Sequence, residues 1–137
     1  MRALRLSGGV SYTDAQYDEL IELVGTVRFD RRGDRPINVP AWTANGSVLY
    51  TIGDRMTLGG FVRHASGFYT DTANTIRVAG HVVVDASVSL RVTPEATLTL
   101  RGRNLSDAFY GEYSGYSTTN VYIGAPRSFE LALAAHF

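Results

Sequence analysis

The sequence of 137 residues contains no cysteine and no lysine, and it has only four prolines and two methionines. Without cysteine, no disulfide framework, thiolate metal site or thiol nucleophile is available. No run of apolar residues approaches the ~18 that a membrane-spanning helix requires. The opening stretch, MRALRLSGGV, also lacks the apolar core of a signal peptide, which is about 7 to 15 residues long. These absences exclude thiol chemistry and a helical membrane span within this sequence.

Charge and side-chain spacing give no indication of catalysis or metal binding. All thirteen basic residues are arginine and balance thirteen acidic residues, so the net charge gives no argument for a nucleic-acid partner. His64, His81 and His136 are scattered, without the close spacing of a metal site. His81 and Asp85 lie four residues apart on one strand face, about 13 Å, which is too far for a direct hydrogen bond. We therefore expect no catalytic residue, metal ion or cofactor.

What the sequence does contain is alternation of polar and apolar residues. Fourteen glycines and eight tyrosines favour strands joined by tight bends over helices. Six segments alternate with a period of two, and the clearest has a row of apolar residues opposed by Asp85, Ser87, Ser89 and Arg91. The segments are residues 2–18, 38–51, 56–69, 79–92, 96–109 and 127–137. The pattern predicts an all-β protein with about six long strands.

The apolar faces of these segments carry no charge at mid-strand, whereas the opposite faces carry arginine, aspartate and glutamate. A charge facing lipid at the bilayer midplane costs about 2 to 4 kcal/mol, so a membrane would select this segregation. A soluble β-sandwich would also place apolar residues on one face, and segregation alone does not separate the two. If the protein is a membrane barrel, the lipid-facing residues include Val82, Val84, Val88, Leu90, Leu98, Leu100, Phe129, Leu131 and Leu133.

The spacing between segments favours the membrane barrel. Short links at 53–55 and 93–95 alternate with long links at 19–37, 70–78 and 110–126. In an up-and-down barrel, alternation places all short turns at one rim and all long loops at the other, as in outer-membrane barrels. The segments are 11 to 17 residues long, whereas a membrane needs about 9 to 11 and globular strands centre on about 5 or 6. We therefore predict an antiparallel up-and-down transmembrane barrel segment.

Three motifs in the second half of the sequence occur in the order and spacing of a known family. ANTIRVAGHVVVDASVSLRV carries Asp85 in a strand after a loop. LTLRGRNLSDAFY carries the pattern NL-x-D-x-x-Y at Asn104, Leu105, Asp107 and Tyr110. GAPRSFELALAAHF carries Gly124, Pro126 and Arg127 before a last strand that finishes at Phe137. From about residue 37 to 137, the chain resembles the C-terminal barrel region of TonB-dependent outer-membrane receptors, particularly those for ferric siderophores.

The resemblance implies a barrel of about 22 strands with an N-terminal plug. It also implies the Gram-negative outer membrane, a ferric siderophore as ligand, and uptake energised indirectly by the TonB complex. The implied partners are membrane lipid, the rest of the barrel and plug, and the barrel-assembly machinery, which reads a signal that includes Phe137. Six strands at ~4.8 Å spacing give about 29 Å of sheet, too little to close so wide a barrel. We therefore expect residues 1–137 to be the C-terminal part of an incomplete barrel, either a fragment or a truncated gene product, in which the plug domain, the N-terminal strands and the export signal are absent.

The motif residues are expected to shape strand-to-loop boundaries rather than to contact ligand. Asn and Asp side chains bond nearby backbone amides, and proline fits just before a strand. For Arg31, Arg32 and Arg35, attraction of an anionic chelate is one alternative, and an ordinary solvated loop is favoured. For Tyr113 and Tyr116, ligand stacking stands beside an interfacial or packing role, which is favoured.

Two other functions remain open from the residues alone. The first is a small self-contained outer-membrane barrel, either a porin or a barrel enzyme. The second is a soluble β-sandwich binding module. The identity of the chelate does not follow from the sequence.

Overall fold

A computed structural model of the chain describes residues 2–115 and 118–136. The secondary-structure elements within these ranges are β-strands, and no helix there is long and apolar enough to cross a membrane. The strands are β1 (Arg2–Tyr12), β2 (Ile21–Val24), β3 (Val27–Asp30), β4 (Trp42–Ile52), β5 (Met56–Ala65), β6 (Phe68–Tyr69), β7 (Arg77–Val78), β8 (His81–Arg91), β9 (Ala96–Arg103), β10 (Gly111–Ser114), β11 (Val121–Ile123) and β12 (Ser128–Ala135).

Six of these strands form one antiparallel sheet in the order β1-β4-β5-β8-β9-β12. Each long strand therefore lies beside the next long strand along the chain, as predicted. Tight turns join β4 to β5 and β8 to β9 at one end of the sheet. At the other end lie the first connection (residues 13–41), the second connection (66–80) and the third connection (104–127). The predicted alternation of short and long links is confirmed.

The sequence did not predict the hairpins within the long connections. β2 pairs with β3 in the first connection, β6 with β7 in the second, and β10 with β11 in the third. These strands are only two to four residues long. They carry too few alternating residues to give a pattern, and their pairing depends on the neighbouring connections.

The long strands are shorter than predicted, with 8 to 11 residues rather than 11 to 17. The first segment stops pairing after Tyr12, although its alternation continues to residue 18. The facing chain contains Pro36 and Pro40, which cannot donate a ladder hydrogen bond. The fifth segment stops at Arg103 because the next residue, Asn104, has a φ of 47°, which no extended strand can contain.

The register brings all six apolar rows onto one face of the sheet, here called the apolar face. Directly paired residues share a face. One row crosses the whole sheet through Leu4, Tyr50, Leu58, Val88, Leu100 and Leu131. All nine residues predicted to face lipid lie on this face. From Ala3 onward, no Asp, Glu or Arg of the long strands lies there.

The apolar face is uncovered. Phe129, Leu131 and Leu133 are each 67–69 % exposed. Within the described ranges the remaining sheets are two-stranded ribbons, and none of them packs as a second layer. This architecture does not support the β-sandwich alternative, which requires two sheets facing each other.

The sheet is also open. β1 and β12 stand at its two edges and do not pair with each other across the part of the chain that the structure describes. A self-contained barrel formed by these six strands would need that pairing, so this alternative is not supported for the chain on its own. The incomplete barrel predicted from the sequence is the observed fold.

Candidate functional site at the loop end of the sheet

The buried side chains lie at the loop end of the sheet, on the face opposite the apolar one, here called the polar face, and in the connections. Val83 projects from the polar face of β8 and is 2 % exposed. Phe68 and Tyr110, in the second and third connections, are also buried, as are Thr70, Asn104 and Ser114. The long connections therefore fold together over the end of the polar face, and this cluster is the candidate functional region.

Asp85 and Asn104 fix the point where the third connection leaves the sheet. Asp85 Oδ1 accepts a hydrogen bond from the Asn104 backbone N–H at 2.8 Å. One residue further on, the Leu105 N–H donates to the Val84 carbonyl at 2.8 Å, so the start of the third connection stays bonded to β8 beyond the end of β9. Arg63 Nη2 lies 3.8 Å from Asp85 Oδ2. Asp85 therefore lies within ion-pair distance of an arginine of the polar face, but its closer partner is the backbone.

The Asn104 side chain ties the two ends of the third connection together. Its Oδ1 accepts from the Ala108 N–H at 2.9 Å, and its Nδ2 donates to the carbonyls of Ala108 at 2.9 Å and Ala125 at 3.0 Å. Asn104 is 2 % exposed, so water cannot replace these partners. Pro126 follows Ala125 directly and needs no hydrogen-bond acceptor of its own.

The base of the third connection also contains Tyr110 and Asp107 with their partners. The Tyr110 ring stacks on His81 with centroids 4.1 Å apart, and it covers Gly124, where a Cβ atom would overlap the ring. Burial raises the pKa of the Tyr110 phenol, and the charge of Glu112 raises it further. Asp107 Oδ2 pairs with Arg127 Nη2 at 3.2 Å. The structure thus places all eight motif residues at the base of one connection.

The three loop arginines expected as alternative ligand contacts have partners in the first connection. Arg31 Nε lies 2.8 Å from Glu22 Oε2, and this hydrogen bond lowers the pKa of Glu22. Arg35 pairs with Asp14 at 3.4 Å, and Arg32 Nε donates to the Asp18 carbonyl at 3.1 Å. This arrangement favours the solvated-loop interpretation, and no observation assigns a ligand to these side chains.

Of the two tyrosines considered as ligand contacts, Tyr113 lies in β10. Tyr113 stacks on Tyr122 with ring centroids 4.6 Å apart, and both rings are nearly half exposed. Ser114, the next residue in β10, is buried against the first connection. Because neighbours in a strand point to opposite sides, the Tyr113 ring points away from that connection. Tyr116 and the terminal Phe137 lie outside the described residues.

Side chains that sequence reasoning missed join the three connections to one another. The joints are Asn38 to Ser114 between the first and third connections, Asn74 to Arg35 between the second and first, and Thr70 to Thr118 between the second and third. No sequence motif predicted these three joints. The only signal in the sequence is asparagine in proline-rich or polar loop segments, which also fits an ordinary turn.

Asp71 organises the second connection internally. Its carboxylate accepts hydrogen bonds from the backbone N–H groups of Thr75 at 3.0 Å and Ile76 at 2.8 Å, and from the Thr75 hydroxyl at 2.7 Å. Burial works to raise the pKa of Asp71, and these hydrogen bonds outweigh it, so the pKa lies below its ordinary value.

The polar face carries charge and hydroxyl groups along its whole height. Cross-strand hydroxyl pairs join Ser89 to Thr99 at 3.0 Å and Ser7 to Ser47 at 2.7 Å. Glu130 lies 3.3 Å from each of two arginines of the neighbouring strand β9, Arg101 and Arg103. In the described ranges, no group of three or more His, Asp or Glu side chains is placed to hold a metal ion. The chemistry of this face suits polar contact with solvent or polypeptide.

The fold and its two unlike faces define a class of protein. A single-layer antiparallel meander with one uncharged apolar face, short turns at one end and long connections at the other is the wall of a β-barrel. A family model described as "TonB dependent receptor-like, beta-barrel" matches residues 2–105. The chain belongs to this family, as the resemblance of its motifs predicted.

The chain is similar in sequence to a ferrichrome transporter and to a ferrioxamine receptor. The chain is 30 % identical over 135 residues to the ferrichrome outer membrane transporter/phage receptor of Escherichia coli K12, covering 91 % of this chain and 17 % of that protein. It is 26 % identical over 140 residues to the ferrioxamine receptor of Yersinia enterocolitica, covering 98 % and 19 %. The chain thus spans less than a fifth of the length of these relatives.

Solved structures show the same fold. The siderophore receptor PiuA from Acinetobacter baumannii matches with a TM-score of 0.87 and 26 % identity, over 96 % of this chain and 19 % of that chain. BauA, the ferric preacinetobactin receptor from the same species, matches with a TM-score of 0.73 and 25 % identity, over 95 % and 19 %. The shared fold covers nearly the whole of the present chain.

Proposed function

We propose that this chain forms part of the barrel wall of an outer-membrane receptor that takes up ferric siderophores by active transport. The observation that carries the proposal is the likeness to the siderophore receptor PiuA, which combines 26 % identity with a TM-score of 0.87 over 96 % of the chain. Two curated iron-chelate receptors match nearly the same span. The named relatives are transporters or receptors, and we assign the chain no catalytic step.

The division of labour follows from the two faces. The apolar face meets the lipid of the outer membrane of a Gram-negative cell, and the polar face lines the lumen and meets the plug. The long connections lie at the outer rim, where ligand arrives, and the tight turns lie at the periplasmic rim. The TonB complex acts on the plug, so it affects this chain only indirectly. The barrel-assembly machinery inserts the wall, with the end of β12 and Phe137 as its signal.

The test is uptake of radioactive iron by cells that carry this gene, with and without an in-frame deletion. We expect the deletion to abolish uptake of at least one ferric siderophore from a panel of catecholates, hydroxamates and carboxylates under iron limitation. Dissipating the proton gradient should stop the same uptake in the parent cells. Equal uptake of every chelate by the deletion strain would reject the proposal, and uptake that survives loss of the gradient would indicate a passive porin instead.

A further inference from the structure

The three long connections are bound to one another in pairs, and the three joints close a triangle. Asn38 binds the first connection to the third, Asn74 binds the second to the first, and the Thr70 hydroxyl binds the second to the third, with 2.7 Å from its Oγ1 to the Thr118 carbonyl oxygen. Each connection is therefore held by both others. None of them can swing away alone without breaking two joints.

The two asparagine joints have the same geometry. Asn38 Oδ1 accepts the Ser114 N–H at 2.7 Å, and its Nδ2 donates to the Ser114 carbonyl at 3.1 Å. Asn74 does the same to Arg35, at 2.7 and 2.9 Å. Each amide thus replaces the backbone of a neighbouring strand, which would offer the same donor and acceptor.

The backbone at these positions narrows the choice of residue. Asn38 has a φ of 62° and Asn74 a φ of 55°, in the left-handed region that asparagine tolerates better than most residues. Glycine would also adopt this conformation, but it has no side-chain amide to form the two hydrogen bonds. Both the conformation and the paired hydrogen bonds therefore call for asparagine.

Each of the three joints is at least partly buried. Thr70 is 3 % exposed and Ser114 is 5 % exposed, whereas Asn74 and Arg35 are half-buried. A buried polar group that loses its partner cannot turn to solvent, so opening a joint costs more than breaking a hydrogen bond at the surface. The triangle is therefore more than a set of surface contacts.

We propose that Asn38, Asn74 and Thr70 are positioning residues that couple the three connections into one rigid unit. The surface that these connections present at the mouth is then formed before any ligand arrives, and this sector of the rim does not act as a moving lid. The coupling rests on the fold alone, and its consequence for ligand capture rests on the proposed function.

Amide hydrogen exchange of the intact receptor in outer-membrane vesicles tests the coupling. Asn74→Asp keeps the acceptor oxygen and tolerates the left-handed backbone, but it places an oxygen against the Arg35 carbonyl. We expect exchange at the remote Ser114 amide, which lies in a joint that this variant does not touch, to accelerate about tenfold. Asn45→Asp, the same change at an exposed position on the polar face of β4, should leave Ser114 unchanged.

A second pair of variants guards against general misfolding. Thr70→Val removes the hydroxyl with little change of shape, whereas Thr70→Ser retains it. Coupling predicts faster exchange at the Arg35 amide in Thr70→Val and rescue in Thr70→Ser. Low pH should also restore the joint in Asn74→Asp, because a protonated carboxyl can donate to the Arg35 carbonyl again. The difference in the Ser114 exchange rate between Asn74→Asp and wild type should therefore shrink below about pH 4. Acceleration confined to the joint that was changed would overturn the proposal.

Ligand binding separates this inference from the proposed function. A wild-type receptor that binds no ferric chelate would refute the function and leave the exchange result standing. If the wild type binds one, preformation predicts about tenfold weaker equilibrium binding in Thr70→Val and normal binding in Thr70→Ser, at equal amounts of folded receptor. Unchanged affinity together with accelerated exchange would show that the rigid unit does not serve ligand capture, and that part of the inference would fall.

Discussion

Four described residues other than glycine have a positive φ, and all are asparagine or aspartate: Asn38, Asn74, Asn104 and Asp107. All four lie in the long connections. The asparagines share one device, in which the amide grips the N–H and carbonyl of a single residue. At the scale of single residues, short polar side chains determine the shape of the loop end by forming hydrogen bonds with the backbone.

Asn104→Ala should destabilise the folded receptor strongly. Alanine loses the bonds to Ala108 and Ala125 at a buried position and must adopt a left-handed conformation. We expect a loss of about 3 kcal/mol, measured by urea unfolding of the purified receptor in detergent micelles. The control Asn45→Ala, at an exposed strand position, should stay within about 0.5 kcal/mol. Similar losses in both variants would contradict the role assigned to Asn104.

The depressed pKa of Asp71 gives the second connection a defined response to acid. Its stabilising contribution is complete above the ordinary aspartate pKa, near 3.8, and is lost as the pH falls through the lower pKa of the folded state. Amide exchange at Thr75 and Ile76, corrected for the intrinsic rate, should therefore accelerate as the pH falls below about 4. Asp71→Asn cannot titrate and should show no such step. A step of equal size in both proteins would assign it to another group.

At the scale of the strand, register decides which residues share a face. Val88 lies on the apolar face, paired with Leu58 and Leu100, while its neighbour Ser89 lies on the polar face, bonded to Thr99. A slip of one residue in a strand would move all of its apolar side chains to the polar face. The faces therefore provide a direct test of the proposed orientation in the membrane.

Val88→Arg should impair membrane assembly far more than Ser89→Arg. The first places a charge toward lipid, at a cost of about 2 to 4 kcal/mol, and the second places it toward the lumen, where Arg91 and Arg101 already lie. The measurement is the amount of heat-modifiable folded receptor in the outer-membrane fraction. Equal amounts for the two variants would show that the faces are assigned wrongly.

At the scale of the whole molecule, the described sheet has two unpaired edges and an uncovered apolar face. Both features favour association in water. We expect the 137-residue chain, produced alone, to sediment as large aggregates in aqueous buffer and to remain dispersed in detergent, as measured by analytical ultracentrifugation. A monodisperse monomer without detergent would contradict the membrane assignment and revive the β-sandwich.

The sequence by itself determined the strand class, the order of long strands, the two faces and the family. Alternation of polar and apolar residues is a local property of the sequence. A sheet in which each long strand pairs with the next one along the chain follows from the positions of the turns. The motif around Asn104 was recognisable for the same reason, since its partners Asp107 and Ala108 lie within four residues. Strand ends were placed less well, because Pro40 and Asn104 stop pairing where alternation still continues.

Only the tertiary structure decided how the long connections meet. Asn38 and Ser114 are 76 residues apart, and Asn74 and Arg35 are 39 apart. No local pattern links such positions, because an asparagine in a loop fits a turn as well as a distant backbone. The sheet brings the connections side by side, and their burial against one another then selects the partners. Long-range proximity of this kind comes from the fold as a whole.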